Sequence, residues 1–382
     1  MSKVIGTNLG DWLVLEKWME PKNFEGAYAE DETWLARNLS HEELEKRLKI
    51  HRDTYVTEED FAYLEKHHIN YVRLPVPYFV FGDREPFIGC IEYVDKAFEW
   101  ANRHNIKILL DLHTAPHGQN GYDNGGITGV CKWAKHPEEV EFVKTVLVRL
   151  AKRYSDNDAL YGIELLNEPI SWIVYRTANS TGKAVDKEEA KGSSYIKLSF
   201  LKKFYLDCYK LLRPILGDDK VIVFHDGFRL TSWKGFFKKN KFLNVVLDTH
   251  IYIFALEFFV PINKPWVYKI FLNICMSQIK SVRKYVPIIV GEWCISAKYG
   301  SRTSKKGLTE EEWNVKQKDR YRKILKMQID AWKNTDGWFY WNYQLVKDMS
   351  KRLEIEWKES RDFRRCIQHG WINDDDILKS KE

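Results

Sequence analysis

Two glutamates that close apolar runs, Glu168 in LYGIELLNEP and Glu292 in VPIIVGEW, are the residues of this sequence most suited to chemistry. A carboxylate at the tip of a buried run is costly unless something pairs with it or uses it. Other runs carry polar or amphipathic residues in the same way: Arg73 in INYVRLPV, His113 in IKILLDLH, Asn167 beside Glu168, His250 and Tyr252 in NVVLDTHIY, and Trp341 in GWFYWNY. Singly, each has an ordinary reading as an ion pair, a core histidine or a core tryptophan. Together they make two carboxyl groups ringed by an arginine and two histidines, which is the equipment for glycoside hydrolysis. One carboxyl must hold a proton for the leaving oxygen while the other stays ionised to attack the anomeric carbon, so their surroundings must push their pKa values apart. Arg73 is expected to hold Glu292 ionised, and the charge of Glu292 with partial desolvation to keep Glu168 protonated. Asn167 is suited to bond a sugar 2-hydroxyl, and retention of configuration calls for carboxyls about 5–5.5 Å apart.

The elements that must position these residues recur along the chain. Eight short β-rich runs start near residues 3, 69, 106, 160, 220, 244, 286 and 337. Most are separated by segments with apolar residues at i, i+3, i+4 and i+7, the spacing of an amphipathic helix. Thr57 before EEDFAYLEKHH supplies an N-cap with acids in the first turn, and Pro137 opens PEEVEFVKTVLVRLAKRY where a helix start favours proline and glutamate. Further helices are predicted over 92–104, 195–212, 266–282 and 310–332. Continuous apolar strands alternating with helices imply a parallel sheet covered on both faces. Eight of them predict one (β/α)8 TIM barrel spanning residues 1–382, with extended βα loops at 12–55, 114–136, 171–194 and 294–309. An open doubly wound sheet competes, but no glycine-rich phosphate fingerprint follows the first strand. In a barrel, residues at the C-terminal strand ends converge on one cavity.

Composition narrows the function classes. The 60 Lys and Arg are nearly balanced by 54 Asp and Glu, so the net charge of +6 does not imply nucleic acid. No stretch is long and apolar enough to predict a membrane span. The start MSKVIGTNLGDWL lacks the pattern of a secretory leader, and the six cysteines show no metal or disulfide spacing, so a cytoplasmic protein with reduced core thiols is expected. The proposed chemistry needs no metal and no organic cofactor. Oligomeric state is not legible.

The motifs NLGDWLVLEKW (8–18), VRLPV (72–76), DLHTAPHGQNGYDNGG (111–126), GIELLNEP (162–169), DTHIY (248–252), IVGEW (289–293) and GWFYWN (337–342) occur in order across nearly the whole chain. In this set the chain resembles glycoside hydrolase family 5, of the 4/7 superfamily of retaining barrels, and within it the exo-β-1,3-glucanase branch. The resemblance implies Glu168 as acid/base and Glu292 as nucleophile. It implies that Arg73, His113, Asn167, His250, Tyr252 and Trp341 complete the site. It also implies that Glu16, Asp123 and Asn124 bind the terminal glucose and that Tyr122 flanks the next sugar. A β-glucan or β-glucoside substrate follows, with an endo-acting cellulase type, a glucosidase for hydrophobic aglycones and a non-catalytic carbohydrate binder as alternatives.

Two departures stand out. Gly10-Asp11 replaces the Gly-Gly usual in the branch, and IFALEFFVPINKPWVYKIFLNICM (253–276) is apolar where members of the branch turn polar. That segment reads as core, as an aglycone surface or as an interface. Tyr122, Trp133, Trp172, Tyr175, Phe254, Trp293 and Trp341 are candidate sugar platforms, Cys294 is a packing residue, and the polar loop 176–194 is either a surface connection or a lid.

Overall fold

A computed structural model describes residues 3–178, 180–349, 353 and 356–381. Among them, eight parallel strands close a barrel in sequence order. These are β1 (Val4–Asn8), β2 (Tyr71–Val76), β3 (Lys107–Leu112), β4 (Leu160–Glu164), β5 (Val221–His225), β6 (Val245–His250), β7 (Ile288–Trp293) and β8 (Gly337–Tyr340). The ring is sealed where β1 pairs with β8, Val4 opposite Gly337 and Thr7 opposite Tyr340. All eight strands lie where the apolar runs predicted them.

Strand residues alternate between the barrel interior and the helical coat. Ile108, Leu110 and Leu112 of β3 pack outward into the main core, while Leu109 joins the inner plug with Val4, Val223, Val246, Ile289 and Phe339. Those small and branched side chains fill the lower barrel, so the charged residues above them stand on a solid floor.

The predicted helices are present, including Pro137–Tyr154, Leu198–Leu216, Pro265–Val282 and Glu310–Trp332. Thr57 and Thr309 each form a capping box with the acid three residues on. The stretch 12–55, expected as a loop, instead contains the helix Glu32–Asn38 and the 15-residue helix His41–Tyr55. Ser40 caps the latter, and Leu44, Leu48, His51, Arg52 and Tyr55 bury one face. Its charged residues dilute the apolar period, which hid it from sequence reading. Loop 171–194 folds into the short helices Trp172–Ala178 and Lys187–Ala190; Asn179 between them lies outside the described residues.

β4 ends at Glu164, short of the predicted Asn167, but the chain beyond remains fastened to both neighbours. Leu165 N–H donates to Val223 O at 3.1 Å and Asn167 N–H to Leu112 O at 2.9 Å. Glu168 then turns into the left-handed region, φ 45°, which a non-glycine residue adopts only when its surroundings fix it.

Gly291 shows how tightly the upper barrel is built. Its N–H donates to Asp248 Oδ1 at 2.6 Å, and a Cβ added there would lie 1.8 Å from Asp248 Oδ2. Gly291→Ala is therefore expected to lower unfolding free energy in urea by about 3 kcal/mol or more. Gly235→Ala, where a Cβ meets nothing within 4 Å, should be neutral or stabilise by up to about 1 kcal/mol. Equal stabilities for the two variants would refute the packing argument.

Candidate active site

The site is organised around Arg73, which points from β2 into the barrel with no exposed surface. Its Nε donates to Glu164 Oε2 at 2.7 Å, Nη1 to Asn8 Oδ1 and Glu292 Oε1 at 3.0 Å each, and Nη2 to Asn167 Oδ1 at 2.9 Å. Nη2 also lies 3.1 Å from Asp111 Oδ2. Burial opposes the guanidinium charge, but Asp111, Glu164 and Glu292 outweigh it and hold the arginine's pKa well above its ordinary value. Asn8, in turn, donates to Gly291 O at 2.9 Å and Tyr340 O at 3.2 Å, tying β1 to β7 and β8.

Around this centre stand the two glutamates. Glu292, in β7, accepts from Arg73 on Oε1 and from the Tyr252 hydroxyl on Oε2 at 2.7 Å. Glu168 Oε1 lies 2.8 Å from His250 Nδ1, and its Oε2 accepts from Asn124 Nδ2 at 3.1 Å. His250 Nδ1 is also 3.4 Å from Glu292 Oε2. One nitrogen within reach of both carboxylates puts their facing oxygens within about 6 Å of each other. Trp341, followed by a cis peptide bond, stacks on His113 with ring centroids 5.8 Å apart and planes at 8°.

Asn167 is committed except for one hydrogen. Its carbonyl accepts from Arg73, and its Nδ2 lies 3.3 Å from His113 Nε2. Because His113 Nδ1 faces Asp111 Oδ2, the ring proton belongs on Nδ1, and Nε2 accepts from Asn167. The second amide hydrogen is left for a ligand.

The expected order of protonation is reversed in the ligand-free site. Burial raises the pKa of Glu168, but the hydrogen bond and charge of His250, with the bond from Asn124, outweigh it and hold Glu168 below its usual range. Burial pushes Glu292 up, and the charge of Glu168 adds to this, against the pull of His250 and Arg73. Arg73 divides its charge among several carboxylates, so it does not ionise Glu292 alone. Burial opposes the charge of His250, but the charges of Glu292 and Asp248, with hydrogen bonds to Asp248 and Glu168, lift its pKa well above the histidine value. Neighbouring His225 is neutral, depressed by burial and by His250, with Nδ1 accepting from Gly227 N–H at 2.9 Å.

Glu16 reaches the same cavity from the loop after β1. Burial, and then the charge of Asp123, push its pKa well up, while Trp18 Nε1 donates to it at 2.7 Å. Asp11, the departure from Gly-Gly, adopts φ 65° and accepts from Glu16 N–H at 2.7 Å. Its carboxylate thus fastens the loop that carries Glu16, a bond glycine cannot make. Asp123 and Asn124 form one tight turn with Gly125, and half-buried Tyr122 caps it. Asn124, expected to bind glucose, spans Asn120 and Glu168.

Two aromatic candidates are corrected. Trp133 packs edge-on against Phe200 and Phe204, and Trp293 against Trp332, Trp338 and Tyr340; both are fully buried core. Tyr175 is pinned to Ser193 O at 2.9 Å, and Trp172 is exposed on its short helix. Phe254 stays near the site, 4.8 Å from Tyr252. Cys294 is buried and its thiol pushed up to about 11, as fits a packing residue.

Sequence reading missed Asn8, Asp111, Glu164, His225 and Asp248. Each is a polar residue inside an apolar strand, and Asp111 and Asp248 also lie two positions before His113 and His250, on the same strand face. Two buried triads bring ligand atoms within 4.8 Å, Glu168–His225–His250 and Glu164–Asp248–His250. Both triads share His250.

Residues 29–345 match the family model described as Cellulase (glycosyl hydrolase family 5). Glucan 1,3-beta-glucosidase of Blumeria graminis is 32% identical over 378 residues, covering 90% of this chain and 82% of that protein. Probable glucan 1,3-beta-glucosidase A of Emericella nidulans is 32% identical over 382 residues, covering 90% and 85%. In fold, the chain is similar to the rutinosidase of Aspergillus niger, with a TM-score of 0.75 at 20% identity over 98% of each chain.

Removing the arginine tests the centre directly. Arg73→Met leaves buried carboxylates without their cation and is expected to cost about 3–5 kcal/mol of unfolding free energy. Adding Glu164→Gln should recover part of that loss, because one uncompensated charge is gone. A loss under 1 kcal/mol would show that the cluster does not depend on Arg73.

Proposed function

Because the chain belongs to the cellulase family, glycosyl hydrolase family 5, we propose that it hydrolyses β-glucosidic bonds with retention, acting from the non-reducing end of β-1,3-linked glucans. The observation that carries the mechanism is the pair Glu168 and Glu292, facing each other across His250 with contacts of 2.8 and 3.4 Å. The two relatives named as glucan 1,3-beta-glucosidases support the substrate class.

In the first step Glu292 attacks the anomeric carbon, forming a glycosyl ester while the glycosidic C–O bond breaks. Glu168 gives its proton to the departing oxygen. Transfer from His250 Nδ1 along the 2.8 Å hydrogen bond would yield neutral histidine and protonated Glu168 without changing the total charge. Water then attacks the ester, loses a proton to Glu168 and releases Glu292. Arg73 and Tyr252 hold the nucleophile's two oxygens, so the carbonyl-like rotation that would misdirect attack is blocked. The remaining Asn167 hydrogen meets the 2-hydroxyl, a contact that strengthens as charge develops on the sugar. Glu16 and Asp123 offer acceptors for the hydroxyls at the closed end.

Glu292→Ala is expected to abolish turnover of an aryl β-glucoside. Glu168→Ala should retain slow glycosylation of a substrate with a good leaving group and be accelerated by azide. Glucose as the sole product of laminari-oligosaccharides supports exo action; longer products would assign the endo reading, and an active Glu292→Ala would remove the nucleophile role.

The pH profile follows from the buried carboxyls. Glu292 must be ionised and its pKa is raised above 4.5, so the acidic limb of kcat/KM is expected above that value, with activity lost as pH falls through it. Tyr252→Phe deletes a donor to the charged form, which should move this limb higher still and lower kcat/KM roughly 10- to 150-fold, the worth of a hydrogen bond to a charge. The basic limb belongs to Glu168 and His250 as a coupled pair. An acidic limb unmoved by Tyr252→Phe would detach Glu292 from it.

A further inference from the structure

Charge is unevenly distributed around the barrel. Residues 227–309 contain 14 of the 60 Lys and Arg but only three of the 54 Asp and Glu. Those three acids, Asp248, Glu257 and Glu292, are all buried. The stretch covers β6, β7 and the helices beside them, one contiguous sector of the wall. Exposed Lys238, Lys239, Lys264, Lys269, Lys280 and Lys284 belong to this sector, and no exposed acid within it offsets them.

Through that basic field runs an apolar ridge. The helix Pro265–Val282 buries Tyr268, Leu272, Met276 and Ile279 against the barrel, yet its opposite side exposes Trp266 (60%), Ile270 and Ile274 at i, i+4 and i+8. The loop before it adds Phe258 (80% exposed), Phe259 (69%) and Ile262. These side chains are not loosely hung. Buried Glu257 accepts from the Tyr268 hydroxyl and from Lys298 N–H, joining the loop after β6, the helix and the loop after β7.

We propose that this face docks onto the surface of an anionic phospholipid bilayer. Exposed aromatic and branched residues enter the boundary between headgroups and acyl chains, and the surrounding lysines meet the negative headgroups. Among the described residues no helix is long and apolar enough to cross a membrane, so the contact is peripheral. Binding to a nucleic acid or another anionic polymer would use the lysines but leave the ridge in water, and the coincidence of both features favours lipid. The ridge begins in the segment that follows Tyr252 and Phe254, so docking brings the rim of the site to the lipid surface.

The test is co-sedimentation of the full chain with phosphatidylcholine vesicles and with vesicles containing phosphatidylserine, at low and high salt. The chain should partition onto the phosphatidylserine vesicles and be released by salt. Phe258→Ser/Phe259→Ser/Trp266→Ser should weaken partitioning about tenfold or more, and so should Lys264→Glu/Lys269→Glu, which disturbs no packed residue. Melting temperature and aryl β-glucoside hydrolysis should stay unchanged, which separates this surface from the catalytic reading. Three results would overturn the proposal: no binding to either vesicle; binding to heparin or single-stranded DNA with none to vesicles; or a concentration-dependent dimer, abolished by the serine substitutions, in a chain that ignores lipid.

Discussion

Arg73 makes four hydrogen bonds and a further ion pair, and these partners come from four regions of the barrel. Asn8 lies in β1, Asp111 in β3, Glu164 and Asn167 in and just beyond β4, and Glu292 in β7. A planar, permanently charged fork can satisfy this geometry and a lysine ammonium cannot. Such a cluster is weak evidence for stability, since removing charges from water costs about as much as pairing them returns. Its effect is on position. With Arg73 fixed by four hydrogen bonds and the Asp111 ion pair, the nucleophile, the amide that meets the sugar and the strands that carry them share one reference point.

The same crowding sets the electrostatics. Burial pushes Glu164 and Glu292 toward the neutral form, and Arg73 and His250 oppose it. His250 lies within 3.4 Å of both catalytic carboxylates and of Asp248, and these neighbours raise its pKa well above the ordinary value. The imidazole of His250 therefore sits one hydrogen bond from Glu168, the residue that hydrolysis needs as its acid.

Much of this was legible in the sequence, for identifiable reasons. Parallel strands covered on both faces are short, uninterrupted apolar runs, so all eight could be located, and a polar residue at a run's tip is conspicuous, so Glu168 and Glu292 stood out. Glu164, Asp111 and Asp248 were harder because a charge within a strand has no local partner in sequence; its partner, Arg73, arrives only when the ring closes. Protonation order was misread for the same reason. The expectation paired Arg73 with Glu292 alone, whereas closure brings four carboxylates to one guanidinium. The core roles of Trp133 and Trp293 were equally invisible, since exposure is decided by helices distant in the chain. The helix His41–Tyr55 was lost among its own charges.

The carboxylate of Glu257 has a mechanical consequence. It joins the loop that carries Phe254 to the loop that leaves β7 beyond Glu292, and it does so from a buried position. Neither loop can swing without stretching that joint. The aromatic ridge and the Tyr252 hydroxyl on the nucleophile thus belong to one joined segment, tied at Glu257 to the loop beyond β7.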